Sequence, residues 1–97
     1  MIGVFVTFRF GKGEFDEAAI RKIAESVRPR FEGMPGLRSK TFTIDASARE
    51  ARNFYVWTSE EHARRFFNDE LLERVTTLYG VRPDVEFVEV AAHVDND

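Results

Sequence analysis

The stretch Ala51-Arg52-Asn53-Phe54-Tyr55-Val56-Trp57-Thr58-Ser59-Glu60-Glu61 decides the fold, because a strand, its end and the start of a helix fall inside it. Strand side chains alternate between faces, so Phe54 and Val56 share one side of the run Ala51 to Trp57, and Asn53, Tyr55 and Trp57 the other. Thr58 and Glu61 have the spacing of a capping box, which satisfies the first free N–H groups of a helix. Ala63, Phe66, Phe67, Leu71, Val75 and Leu78 then follow at helical spacing. Asn68-Asp69 in mid-pattern predicts a division into two shorter helices, and Gly80 and Pro83 close the region.

Working outward, Leu37 to Ala46 reads as the second strand, poor in apolar residues as an edge strand is, with Ser47 to Glu50 as a polar hairpin loop. Ahead of it, Asp16 caps a helix whose Ile20, Ile23, Ala24, Val27 and Phe31 form one stripe. Pro29 should kink or shorten its last turns, and Gly33 and Gly36 end it. Residues 2–10 form the first strand: Ile2, Val4, Val6, Phe8 and Phe10 share one face, and Gly3, Phe5, Thr7 and Arg9 the other. Val85 to Val94 is the last strand, with Val88, Val90 and Ala92 on one face and Val85, Phe87 and Ala91 on the other. Asp95 to Asp97 is expected to be a disordered acidic tail, leaving one domain over residues 1–94.

The order β-α-β-β-α-β predicts a ferredoxin-like α+β domain with a four-stranded antiparallel sheet, first and third strands in the centre. A sheet with helices on one side should be polar on its other side. Strands one, three and four here are apolar on both. A second copy of the chain is the expected cover, which predicts a homodimer packed sheet against sheet.

Composition narrows the function classes. The chain has 97 residues, ten of them Phe, and no cysteine. Disulfides, thiolate metal sites and a cysteine nucleophile are therefore excluded. The two histidines, His62 and His93, are too far apart to begin a metal cluster. The N-terminus lacks a basic leader and the apolar runs are too short to span a bilayer, so no membrane association and a cytoplasmic location are expected. Net charge is −3 with basic residues scattered among acids, which argues against nucleic acid. Gly11-Lys12-Gly13 is too short for a phosphate loop.

The segment Met34-Pro35-Gly36-Leu37-Arg38-Ser39-Lys40, followed by a short polar hairpin and Tyr55-Val56-Trp57-Thr58-Ser59-Glu60-Glu61, resembles the YdhR-like monooxygenases. These belong to the dimeric α/β-barrel superfamily, together with the antibiotic-biosynthesis monooxygenases. The likeness runs from about residue 31 to residue 90, and Met-Pro-Gly-Leu-x-x-Lys is its most specific part. It implies a dimer whose two sheets form a shared barrel, and an apolar cavity between sheet and helices in each subunit. The implied chemistry is oxygen insertion into an electron-rich aromatic or quinol, with molecular oxygen as co-substrate and no flavin, haem or metal cofactor. Cofactor-free quinone-forming monooxygenases of this superfamily also use an Asn and a Trp four residues apart on one strand, and Asn53 and Trp57 match that spacing. Those enzymes add a Tyr and an Arg on the following helical region. This sequence departs there, with Ala63 near the Tyr position, and Tyr55, Tyr79, Arg65 and Arg74 are the residues that could substitute.

On these grounds Asn53, Tyr55 and Trp57 are the expected catalytic residues. An aromatic wall binds a planar ring, while an amide and a phenol can hydrogen-bond its oxygens. The structural alternative is a core Tyr and Trp in a central strand with Asn53 satisfied at its entrance. Lys40 is expected to pair with a substrate phenolate or carboxylate, against the alternative of a solvated edge-strand lysine. His62, Phe67 and Tyr79 complete the expected substrate-binding set. His62 could shuttle a proton, or stand as an exposed residue of the second helix's first turn. One of Phe66 and Phe67 should pack on the sheet and the other line the cavity. Polyketide-type cyclisation or isomerisation, haem binding, and ligand binding without turnover are the competing readings.

Overall fold

A computed structural model describes residues 1–96 of the chain. Strand β1 (Ile2–Arg9) leads to helix α1 (Glu17–Val27) and a 3-10 turn (Arg28–Phe31). The hairpin β2 (Leu37–Asp45) and β3 (Glu50–Trp57) follows, then helices α2 (Glu60–Phe66) and α3 (Asp69–Tyr79) and strand β4 (Asp84–Glu89). Every pairing is antiparallel and the strand order is β2-β3-β1-β4. This is the ferredoxin-like α+β fold, with the apolar β1 and β3 in the centre.

Local chemistry sets the boundaries. Asp16 caps α1 by accepting from the Ala19 N–H at 3.1 Å. The helix stops at Val27 because Pro29 cannot donate to the next ladder bond, and the chain tightens into the 3-10 turn. Asn68 accepts from the Leu71 N–H at 2.8 Å, so the expected division of the second helical region is real. Gly80, at φ 84°, ends α3 in the left-handed conformation.

Two expected boundaries move. The cap of α2 is Ser59, not Thr58: the Thr58 N–H still bonds the Gly36 carbonyl at 2.8 Å, and Ser59 Oγ accepts from the His62 N–H. The last strand ends at Glu89 rather than Val94. Glu89 stands opposite Ile2, where β1 begins, and past the bond from the Val90 N–H to the Met1 carbonyl there is no strand left to pair with. Asp95 and Asn96 lack regular structure, and Asp97 lies outside the described residues.

All helices cover one face of the sheet. Val4, Val6 and Phe8 of β1 and Ala51, Tyr55 and Trp57 of β3 form the buried core there, with Ile20 of α1 and Ala63 of α2. The opposite face carries Phe5, Phe54, Val56 and Val88, which are neighbours across β4, β1 and β3. The Phe5 and Phe54 rings lie 4.6 Å apart, and Phe54 sits over Gly3, where a Cβ would meet it at 2.9 Å. Arg9, Glu50, Arg52 and Asp84 rim this apolar centre with ion pairs. Among the described residues no helix is long and apolar enough to cross a membrane.

Candidate active site

Between the helix-side face of the sheet and α2, α3 and the 3-10 turn lies a cavity of about 170 Å³. A space of that order holds one benzene-sized ring. Its floor is β1 and β3 (Val6, Phe8, Asn53, Tyr55), and its far wall is α3 (Leu71, Val75, Tyr79). Phe31, Phe66 and Phe67 line it as well. The Phe67 ring stands edge-on to Tyr55 with centroids 4.9 Å apart, and the Tyr79 ring stacks on Phe8 at 3.7 Å. The walls are thus aromatic faces and edges, the surface that receives a planar ring.

The polar side chains that line this space are Lys40, Asn53, Tyr55 and Tyr79, with Arg30 and Arg74. Asn53 is 3% exposed, and its Nδ2 contacts the Tyr79 hydroxyl at 3.5 Å, a long bond that leaves capacity for a guest. Burial raises the phenol pKa of Tyr79, an effect opposed by the Asn53 contact. Burial, with the nearby Tyr79, pushes Tyr55 higher too. Both phenols are therefore neutral hydrogen-bond donors across the physiological range. Lys40 reaches in from β2 because it pairs with Tyr55 and so shares its face. A bulge between Leu37 and Ser39 sets this register. Lys40, Asn53 and Tyr79 also line a second hollow between α1 and β2, so the three form a partition between the two spaces.

No protein-family model matches the chain, and no curated protein does either. Solved structures do. A protein of unknown function from Nitrosomonas europaea, NE2512, superposes with a TM-score of 0.73 at 18% identity, over 99% of this chain and 94% of that one. The monooxygenase ActVA-Orf6 of Streptomyces coelicolor, solved with nanaomycin D, gives 0.69 at 20% identity over 99% and 92%. SnoaB of Streptomyces nogalater, a cofactor-independent oxygenase, gives 0.67 at 14% identity over 96% and 95%. What is shared at such identities is the fold.

Of the residues expected to act, five line the cavity: Asn53, Tyr55, Lys40, Phe67 and Tyr79. Phe66 lines it as well, so the expected split of the phenylalanine pair does not occur. Trp57 does not line it. It is 1% exposed, stacked beside Tyr55 at 6.1 Å and packed on Phe66 at 5.2 Å, and its Nε1 has no partner. Its place is the solid core between β3 and the end of α2. His62 also stays outside. Its Nδ1 lies 2.8 Å from Ser59 Oγ, and its ring presses on Gly36, where a Cβ would collide with it. Gly36 is required there twice over, since its φ of 82° is also left-handed. Of the two candidate arginines, Arg74 borders the cavity, while the exposed Arg65 pairs with Glu61. Among the described residues no cluster of three metal-ligating side chains exists.

Arg30, Phe31 and Met34 are cavity residues that sequence reasoning did not single out as such. Phe31 was visible as the end of the α1 stripe. Arg30 lies in the short 3-10 turn and Met34 in the irregular backbone after it, where no long periodicity marks an inward side chain.

Proposed function

We propose that the protein is a cofactor-independent monooxygenase of one-ring phenols. The observation that carries this reading is the aromatic-walled cavity into which Asn53, Tyr79 and Lys40 bring the polar groups. Solved oxygenases with the same fold support it. The substrate ring stacks against Tyr55 and Phe67, and its oxygen is held by the Asn53 amide and the Tyr79 hydroxyl. Those donors stabilise the anion that forms when the hydroxyl ionises. Electron transfer from the electron-rich phenolate to dioxygen, followed by recombination at the carbon para to the oxygen, gives a ring hydroperoxide. Loss of water leaves a para-quinone, so a phenol and one dioxygen yield a quinone and one water. The dry apolar walls protect the reactive pair during this step. Trp57 supports the position of Tyr55 and does not touch the ring.

The working unit in this reading is a cytoplasmic homodimer, closed through the face of Phe5, Phe54, Val56 and Val88. Sedimentation should give twice the chain mass, and Phe54→Glu should return it to the monomer. An oxygen electrode with one-ring phenols free at the para position tests the chemistry. Uptake above the buffer rate is expected, lowered roughly a hundredfold in Asn53→Ala; uptake that Asn53→Ala leaves intact would sink the assignment.

A further inference from the structure

Lys40 is a partly buried amine with no counter-charge. Its Nζ lies 3.5 Å from the centroid of the Phe31 ring, 4.1 Å from Phe42 and 4.3 Å from Tyr55. Among the described residues every ion pair is made by an arginine, and Lys40 makes none. The other charged residues that line the cavity, Arg30 and Arg74, are cations, and no carboxylate lines it. From α1, Arg21 and Glu25, and from the 3-10 turn Arg28, face the hollow on the other side of Lys40. Glu25 is held there by Arg28 at 3.4 Å, and Glu32, beyond the 3-10 turn, lies 3.7 Å from the same arginine. Arg38, on its own strand, is exposed. The tyrosines facing it, Tyr55 and Tyr79, are neutral. Every formal charge around Lys40 is thus a cation or a carboxylate already paired with one.

Three ring faces can hold an ammonium, but they do not neutralise it. Burial accordingly lowers the Lys40 pKa to about 7. Such an amine is free to accept a proton, and the site lacks the anion that would complete it.

We infer that Lys40 is the base that ionises the substrate: its neutral amine takes the hydroxyl proton of a phenol seated in the cavity, and the phenolate stays as the missing counter-ion. The O–H bond breaks, an N–H bond forms, and the pair carries no net charge. The inference rests on the reading of the cavity as a phenol site, and goes beyond pairing with a ready-made phenolate. It gives the cavity a substrate class, neutral phenols and enols that become anions only once bound. The cage of Phe31, Phe42 and Tyr55 holds the ammonium so formed.

Proton counting decides the matter without turnover. The probe is para-cresol, whose blocked para position cannot become a quinone carbonyl. Its binding is measured by calorimetry in buffers of different ionisation heat, at about pH 6 and about pH 8. At the higher pH both free partners are neutral, and binding should exchange no proton with the buffer. At the lower pH Lys40 starts as an ammonium, and close to one proton per site should be released. Affinity should rise up to about tenfold per pH unit below pH 7 and level off above it. Lys40→Arg, which stays charged, should release close to one proton at both pH values. Lys40→Met should exchange none at either, with affinity independent of pH. Thermal melts establish that each variant is folded. Release of a proton by the wild type at the higher pH would mean the amine is already charged and would overturn the inference. So would the absence of release at the lower pH, or cresol that does not bind. Failure of phenols free at the para position to consume oxygen would defeat the oxygenase reading while leaving these counts unchanged.

Discussion

The two ends of β3 present the same face to the helices and meet different surroundings. At Trp57 the space is filled: the end of α2 lies beside it, and Tyr55, Phe66 and Phe67 pack around the indole. Two to four residues back, at Tyr55 and Asn53, the helices stand away and a cavity opens. Both ends are equally buried, so burial does not separate structure from chemistry here. What separates them is whether the space beside the side chain is filled by its neighbours. Tyr55 is shared by both regions, which makes the packed end the support of the open one.

The largest expected effect falls at the packed end. Trp57→Ala should lower unfolding free energy by about 4 kcal/mol, read by urea denaturation, because an indole-sized void is left in a fixed frame. A loss under about 1 kcal/mol would mean that the region is not solid core. At the open end the ranking inverts. Asn53→Ala should change stability by only about 1 kcal/mol while lowering turnover roughly a hundredfold, the usual loss for a donor to a developing anion. Steady-state oxygen uptake beside a denaturation curve reads both quantities on one preparation.

Lys40 gives the comparison a pH axis. Its folded pKa, about 7, lies below its ordinary value of 10.5, so between them the unfolded chain binds the extra proton. The strain of a buried ammonium is fully present below pH 7 and is relieved as pH rises. Wild-type stability relative to Lys40→Met should therefore increase by about 2 kcal/mol between pH 7 and 9. A difference that is flat with pH would place Lys40 in water. The smallest effects belong to the α2 cap. Ser59→Ala should cost about 1 kcal/mol through the lost bond to the His62 N–H. His62→Ala should leave turnover within about twofold of wild type, because the ring faces Gly36 rather than the cavity.

The fold was legible because its signals are local. Alternation along Ile2–Arg9 and Glu50–Trp57, the Asp16 and Asn68 caps, and the polar β2 each declare themselves within a few residues. Where the reading slipped, the deciding contact was distant: Thr58 is kept extended by Gly36, and β4 ends where β1 runs out. The lining of the candidate cavity was legible in part, five of the seven expected residues reaching it. Period two placed Asn53, Tyr55 and Trp57 on one face but could not say how far along that face the helices lie close. That distance depends on the crossing of α2 and α3 over the sheet, so Trp57 and His62 fell outside. The aromatic cage of Lys40 joins Phe31, Phe42 and Tyr55 from three separate segments, which no spacing rule connects.

The oxygenase chemistry is tested most directly by dioxygen uptake matched to quinone formed, with a one-ring phenol free at its para position. One quinone per dioxygen is expected above the buffer rate, lowered roughly a hundredfold in Asn53→Ala and preserved in His62→Ala. Uptake equal to buffer alone, or a rate indifferent to Asn53, would contradict it.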